Sequence, residues 1–386
     1  MFIFDKPFVS KLLLDTVKRH GYPLLENDTA KELCGDGFNL LSPARFADRF
    51  RSRPLLYSNS ENAISWINEN LAFSDIVEKT DLFKNKVKFR DLLSGMYPDF
   101  YYQEVMFDQI QHLSTKDLKY PFIIKPAVGF FSLGVYYVHD EKAWKTIRPK
   151  VISDVEKIKD YYPEDVLNSS SFIIEEVIEG TEYAIDAYYN ASGDPVILDV
   201  LKHNFAGAED VSDRVYITSV EIIKDISEKV RKFLVSLGRL ALLKNYPFHI
   251  EVRIDSQGRV VPIELNPLRF AGWCCTDIAY YSYGINTYEY FADNVHVDWD
   301  EVEKEHRGRT YALVVVEKSP NIDDSKLLGF DYEKLKKSFS RVLEIRETDF
   351  VKYGVFCFLF VEVDGEDSEE LKAILNSDLS EYLLYY

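Results

Sequence analysis

One stretch of the chain constrains its fold more than any other: His249-Ile-Glu-Val-Arg-Ile-Asp-Ser-Gln-Gly-Arg-Val-Val-Pro-Ile-Glu-Leu-Asn266. Side chains alternate across a β-strand. The first half therefore puts Phe248, Ile250, Val252 and Ile254 on one face and His249, Glu251 and Arg253 on the other. The return half sets Val261, Ile263 and Leu265 against Pro262, Glu264 and Asn266. Gln257-Gly258 reads as a two-residue turn, and that register places Glu251 opposite Glu264 and His249 opposite Asn266. Like charges directly opposite one another destabilise a sheet; a cation between them removes the conflict. Hard oxygen ligands of this kind suit Mg²⁺. Taken alone, the hairpin fits equally well a solvated face on which Arg253 neutralises one carboxylate.

The rest of the composition narrows the classes. At 386 residues, with 46% hydrophobic and 15% aromatic side chains, the chain has ample core material and length for two or three domains. Its formal net charge of −18 disfavours a general nucleic-acid surface or an anionic-membrane binder. Cys34, Cys274, Cys275 and Cys357 match no disulfide or zinc spacing and read as reduced thiols. No signal peptide or bilayer-spanning apolar run is visible, so the expected location is the cytoplasm.

Upstream, Phe8 to Val17 reads as leading into a helix stopped by Gly21, with Tyr22–Leu25 the following strand. Pro121-Phe-Ile-Ile-Lys-Pro126 is a buried-strand pattern interrupted by one lysine. It runs through a loop bounded by Gly129 and Gly134 into a strand Val135–Val138. A helix is expected from about Glu141 to Asp160, strands over Phe172–Ile178, Tyr183–Tyr189 and Val196–Val200, and a helix over 221–245. Beyond 300, strands are expected at Tyr311–Val316 and Val355–Val361 and helices at 332–340 and 367–376, with no motif that carries chemistry.

These segments resemble the ATP-grasp superfamily, which includes D-alanine–D-alanine ligase and biotin carboxylase. Glu251, then Glu264-Leu-Asn266, is similar to that family's metal-binding strand pair. Ile124-Lys125-Pro126 looks like its phosphate-lysine strand, and Gly129, Ser132 and Gly134 fall in a segment similar to its closing flap. Phe172-Ile-Ile-Glu-Glu-Val-Ile-Glu-Gly-Thr-Glu182 resembles its hinge. The resemblance implies that the backbone of Glu176 and Ile178 reads adenine, with Glu175 near the amino group and Glu182 on the ribose. It also implies an earlier phosphate lysine, for which Lys86 is the choice and Lys84 and Lys88 the rivals.

The resemblance implies an α/β (α+β) chain: an ATP-grasp fold in which two α+β subdomains hold ATP between them. The expected division is a small N-terminal α/β domain over 1–80, an ATP-grasp domain over 81–300 with lobes of about 81–174 and 175–300, and an α/β segment of unassigned role over 301–386. The implied activity is an ADP-forming carboxylate–amine (or carboxylate–thiol) ligase working through an acyl phosphate. It would use ATP with Mg²⁺ or Mn²⁺, a small carboxylate or amino acid, and an amine-type acceptor. Neither nucleic acid nor membrane is an expected partner, and a homo-oligomer is compatible with the reading. Glu251, Glu264 and Asn266 would hold the metal, and Lys86 and Lys125 the phosphates. Arg269 and Arg253 are candidates to orient the acyl phosphate, and either can equally be structural. His203 is a candidate base or a satisfied histidine, and Phe270, Gly272, Trp273 and Tyr280-Tyr281 are candidate acceptor lining. A carboxylase-like member, or an ATP-binding regulatory protein without turnover, remains the alternative.

Overall fold

The computed structural model describes residues 1–114, 116, 118–129, 134–158, 168–207, 212–319, 322 and 326–385, without the side chains of 155–158 and 168–170. At the N-terminus β1 (Phe2–Ile3), β2 (Pro23–Leu25), β3 (Asn39–Leu41) and β4 (Tyr57–Ser58) form a parallel sheet in the order β3-β2-β1-β4. The helix Lys11–His20 covers it. Ser10 caps the helix by accepting from the Leu13 N–H, and Gly21 ends it in the left-handed region. Leu13 and Val17 are buried with Phe2, Phe4 and Leu24.

A second, antiparallel sheet has the order β5-β8-β6-β7, from β5 (Tyr102–Met106), β6 (Phe122–Val128), β7 (Tyr136–Val138) and β8 (Asn168–Glu176). The helix Glu141–Ile158 packs Trp144 and Val151 against Phe122, Ile124, Phe172 and Ile174. Every second residue of β6 and β8 therefore goes to this core, and Lys125 is left on the opposite face.

The remaining strands are β9 (Thr181–Tyr189), β10 (Pro195–Asn204), β11 (Val215–Thr218), β12 (Tyr246–Ile254), β13 (Val260–Pro267), β14 (Thr310–Glu317), β15 (Leu327–Phe330), β16 (Arg341–Glu347), β17 (Val355–Val363) and β18 (Leu383–Tyr385). Eight of them form one antiparallel sheet in the order β13-β12-β9-β10-β11-β14-β17-β16, while β15 and β18 pair separately. Residues beyond 300 thus supply three strands of the large sheet. The 21-residue helix Val220–Leu240 buries Ile222, Ile223, Ile226, Val230, Phe233, Leu234 and Leu237 against one face of that sheet. The other face carries the charges discussed below.

The key hairpin differs from expectation in its turn. Glu251 does pair with Glu264, and His249 with Asn266, but Val252 pairs with Pro262 and Ile254 with Val260. The loop is one residue longer than a two-residue turn. The Gly258 N–H donates to the Asp255 carbonyl and Gly258 sits at φ +78°, a conformation that favours glycine. A bulge at Ile263 then restores the register. The bulge also shifts the face assignment: Val260 and Leu265 join the main core, whereas Val261 lies opposite Arg253 on the charged side.

Candidate active site

The charged face is built from cross-strand rows. One row runs Asp199–Asp186–His249–Asn266 over β10, β9, β12 and β13; the next runs Leu201–Ala184–Glu251–Glu264. Strand alternation puts both rows on the side away from the Val220–Leu240 helix. The second sheet and the helix Lys86–Leu93 face these rows and bring cations to them.

Each of these cations meets a carboxylate. Lys86, at the helix start, lies 2.9 Å from Glu264 Oε2, and Asn266 Nδ2 donates to Glu264 Oε1 at 3.1 Å. Lys125 lies 2.5 Å from Glu175 Oε1, whose other oxygen accepts from Arg90 Nε at 2.9 Å. Burial alone would raise the Glu175 carboxyl, but Arg90 and Lys125 outweigh it and hold the pKa at about 2. Burial is likewise outweighed at Glu264, whose carboxyl Lys86 and Lys125 push down. Glu251 moves the other way, raised by burial and then by the charge of Glu264. A like-charged pair driven apart in this way is relieved by a dication, and two carboxylates with an amide form an oxygen donor set that fits Mg²⁺.

Of the rival lysines, Lys88 pairs with Asp81 and is half exposed, away from the carboxylate rows. Lys84 is buried against Glu61 and also donates to the Gly129 carbonyl at 3.3 Å. Glu61 comes from the N-terminal region and accepts from Arg269 Nε and Nη2 at 3.0 and 2.8 Å. Opposing its burial, Lys84 and Arg269 hold the Glu61 pKa at about 2. Arg269 is therefore held near Glu264 and Glu251, engaged by Glu61.

Arg253 is placed elsewhere. It donates to Glu182 Oε2 through Nε at 3.0 Å and to the Ile178 carbonyl at 2.7 Å, so it braces the hinge rather than the metal pair. Glu182 Oε1 lies 3.0 Å from His203 Nδ1, and His203 Nε2 lies 2.9 Å from the Ser212 carbonyl oxygen. With both ring nitrogens engaged, His203 is a satisfied buried histidine in this structure. The Glu176 N–H and side chain are both committed to the Tyr101 backbone. At Gly180 (φ +112°), a Cβ would come within 2.4 Å of the Ile254 carbonyl oxygen; only glycine lets the hinge pass β12 this closely. Gly129 and Gly134 flank the loop, while Ser132 lies outside the described residues.

Sequence reasoning missed Glu61, Arg90 and Asp186. Arg90 had a signal: it follows Lys86 by four residues and so shares its helix face. Glu61 had none, because its partners lie 23 and 208 positions away. Asp186 Oδ1 accepts from both His249 Nδ1 at 2.7 Å and the Ala271 N–H at 2.8 Å. It holds His249 with Nε2 3.6 Å from Glu251.

Comparisons with known proteins agree with this architecture. The sequence profile of the ATP-grasp domain matches residues 118–277, a span that includes Lys125, the hinge and the carboxylate hairpin. These residues form an ATP-grasp domain, and the chain has the α+β ATP-grasp fold. Among solved structures it is similar to an L-amino acid ligase from Bacillus licheniformis (TM-score 0.69, 18% identity, covering 100% of this chain and 98% of that one). It is also similar to N5-carboxyaminoimidazole ribonucleotide synthetase from Thermotoga maritima (TM-score 0.63, 13% identity, 99% and 98% covered). A biotin carboxylase from Campylobacter jejuni follows (TM-score 0.62, 11% identity, 94% and 87% covered). At these identities the likeness is one of fold. No curated protein matches the sequence. Among the described residues, no helix is long and apolar enough to cross a membrane.

Proposed function

We propose that the chain is an ADP-forming ligase that activates a small carboxylate or amino acid with Mg·ATP and joins it to an amine-type acceptor. The observation that carries this reading is the facing of Glu251 and Glu264 by two buried lysines, Lys86 and Lys125, in one cleft. Buried cations are costly without anionic partners. Here carboxylates hold the lysines until phosphate oxygens take their place. Glu251, Glu264 and Asn266 would hold Mg²⁺, which when bound neutralises charge on the transferring phosphoryl group. Lys86 and Lys125 would hold the phosphates, Ile178 offers its N–H to the base, and Glu182, steadied by Arg253, suits a ribose hydroxyl.

In the reaction, a substrate carboxylate oxygen attacks the γ-phosphorus and ADP leaves. The acceptor nitrogen then attacks the acyl carbon and inorganic phosphate leaves. The work of the protein is positioning and electrostatics. Arg269 is the cation available to orient the acyl phosphate, with Glu61 exchanged for it.

The test is ADP and phosphate release with pools of ¹⁸O-carboxylates and amines. One ¹⁸O per turnover should pass from carboxylate to phosphate. Mg·ATP binding with no stimulated turnover across broad pools would sink the ligase reading.

A further inference from the structure

The loop that leaves the metal strand is strained. Leu268, Trp273 and Cys274 have φ of 61°, 55° and 55°, a left-handed backbone that costs a non-glycine residue about 1 kcal/mol or more. Two consecutive residues in that state, one of them tryptophan, need an external hold.

Arg346 of β16 provides it. Its Nη1 donates to the Cys274 carbonyl at 2.9 Å and reaches the Trp273 carbonyl at 3.4 Å. Its Nη2 pairs with Asp277 and lies 3.5 Å from the Tyr281 hydroxyl. The guanidinium sits 4.7 Å from the Phe360 ring, 5.6 Å from Phe8 and 5.8 Å from Tyr281. Arg346 is 7% exposed and Asp277 0%. A buried ion pair is weak support for stability in itself, whereas the fork geometry of arginine fixes two carbonyls and a carboxylate at once.

At its other end this loop is tied to the metal face. The Ala271 N–H shares Asp186 Oδ1 with His249, next to Glu251, and Arg269 pairs with Glu61. The strained turn carries the Trp273 ring to 4.9 Å from Tyr353 and 5.4 Å from Phe358. Residues 269–277 thus bridge the phosphoryl end of the cleft and the aromatic half of the sheet.

Resting on the proposed ligase reading, we infer that Arg346 is a positioning residue for the acceptor side of the cleft. It acts through the Trp273–Cys274 carbonyls, touches neither nucleotide nor metal, and gives the segment beyond residue 300 a part in the reaction.

Arg346→Met and Arg346→Lys test this, with Arg341→Met as a control for charge loss from the same strand at an exposed pair. Site-resolved iodoacetamide labelling reads the turn in the folded protein. Cys274 and Cys275, 1% and 6% exposed, should label at least tenfold faster in Arg346→Met, less so in Arg346→Lys, and at the wild-type rate in Arg341→Met. Mg·ATP affinity by calorimetry should stay within twofold in all three. ADP release stimulated by a pool of L-amino acids should show a KM for the pool at least tenfold higher in Arg346→Met, partly restored in Arg346→Lys. Unchanged labelling in Arg346→Met would overturn the inference, and so would Mg·ATP affinity falling in step with labelling, which marks a general prop. If the wild type is stimulated neither by this pool nor by broad pools of carboxylates and amines, the ligase reading fails. In that case the labelling and calorimetry still decide whether Arg346 governs the turn independently of the nucleotide.

Discussion

The two ends of the eight-stranded sheet share one face and carry opposite chemistry. Toward β13, β12 and β9 the face bears Glu264, Asn266, Glu251, His249, Asp186 and Glu182. Toward β14, β17 and β16 it bears Leu313, Val315, Phe358 and Phe360, with Arg346 as the buried cation among them. The rows are continuous, for His203 pairs with Tyr216, Tyr216 with Leu313 and Leu313 with Phe360. A single antiparallel surface therefore carries a charge-matched end, the one proposed above for Mg·ATP, and an aromatic end that holds backbone in a costly conformation.

The sharpest way to break this contrast is to disarm the charged end. Glu264→Gln removes a proposed metal ligand yet keeps a hydrogen-bonding group for Lys86. Mg·ATP turnover should fall about 100–1,000-fold, with circular dichroism unchanged; unaltered turnover would remove Glu264 from the metal site. The complementary change belongs to the aromatic end. Phe360, fully buried, should cost about 3–4 kcal/mol of stability in urea titration when cut to alanine, while Mg·ATP affinity stays within twofold. A matching loss of affinity would mean that the two ends are not separable. Lys125→Met leaves Glu175 with Arg90 alone, and the lost charged contact should weaken Mg·ATP binding about 30-fold by calorimetry, the equivalent of about 2 kcal/mol.

The smallest effect lies at the boundary. Asp199 is buried beside Asp186, and burial followed by that neighbouring charge lifts its pKa to about 7. An acid whose folded pKa exceeds its unfolded one stabilises the fold while protonated. Stability therefore declines as pH rises from about 4 to about 7 and is flat above. Asp199→Asn removes this dependence and should be more stable than wild type at pH 8, the gain shrinking towards zero at pH 4, as read from denaturation midpoints. A pH-independent difference would show Asp199 ionised throughout.

The charged end was largely legible in the sequence because its chemistry is local. Glu251, Glu264 and Asn266 fall within one hairpin, and Lys125 breaks an apolar run. The aromatic end was not, because its defining contacts join residues far apart: Arg346 meets Trp273 and Cys274 more than 70 positions away. Strand β16 itself was passed over. Arg341-Val-Leu-Glu-Ile-Arg-Glu347 is an edge strand with a bulge between Val342 and Glu344, which breaks the period-two pattern by which a strand is recognised. In the hinge, the residues were found but not their partners. Glu175, expected near a base, pairs with Lys125, and Arg253, a candidate for the acyl phosphate or a structural arginine, braces Glu182.

The odd loop at Gly258 and the bulge at Ile263 are two single-residue irregularities that cancel. What variation must preserve in this hairpin is therefore the pairing of Glu251 with Glu264 rather than any particular loop. Ironing out the bulge with the turn unchanged would bring Glu264 opposite Ile250 and slide it, with Asn266, onto the core face. Moving the turn at the same time to a two-residue Gln257-Gly258 loop would return the carboxylate and the amide to their places. A lineage of such chains can shorten or lengthen this loop freely, provided the strands on either side of it keep that pairing.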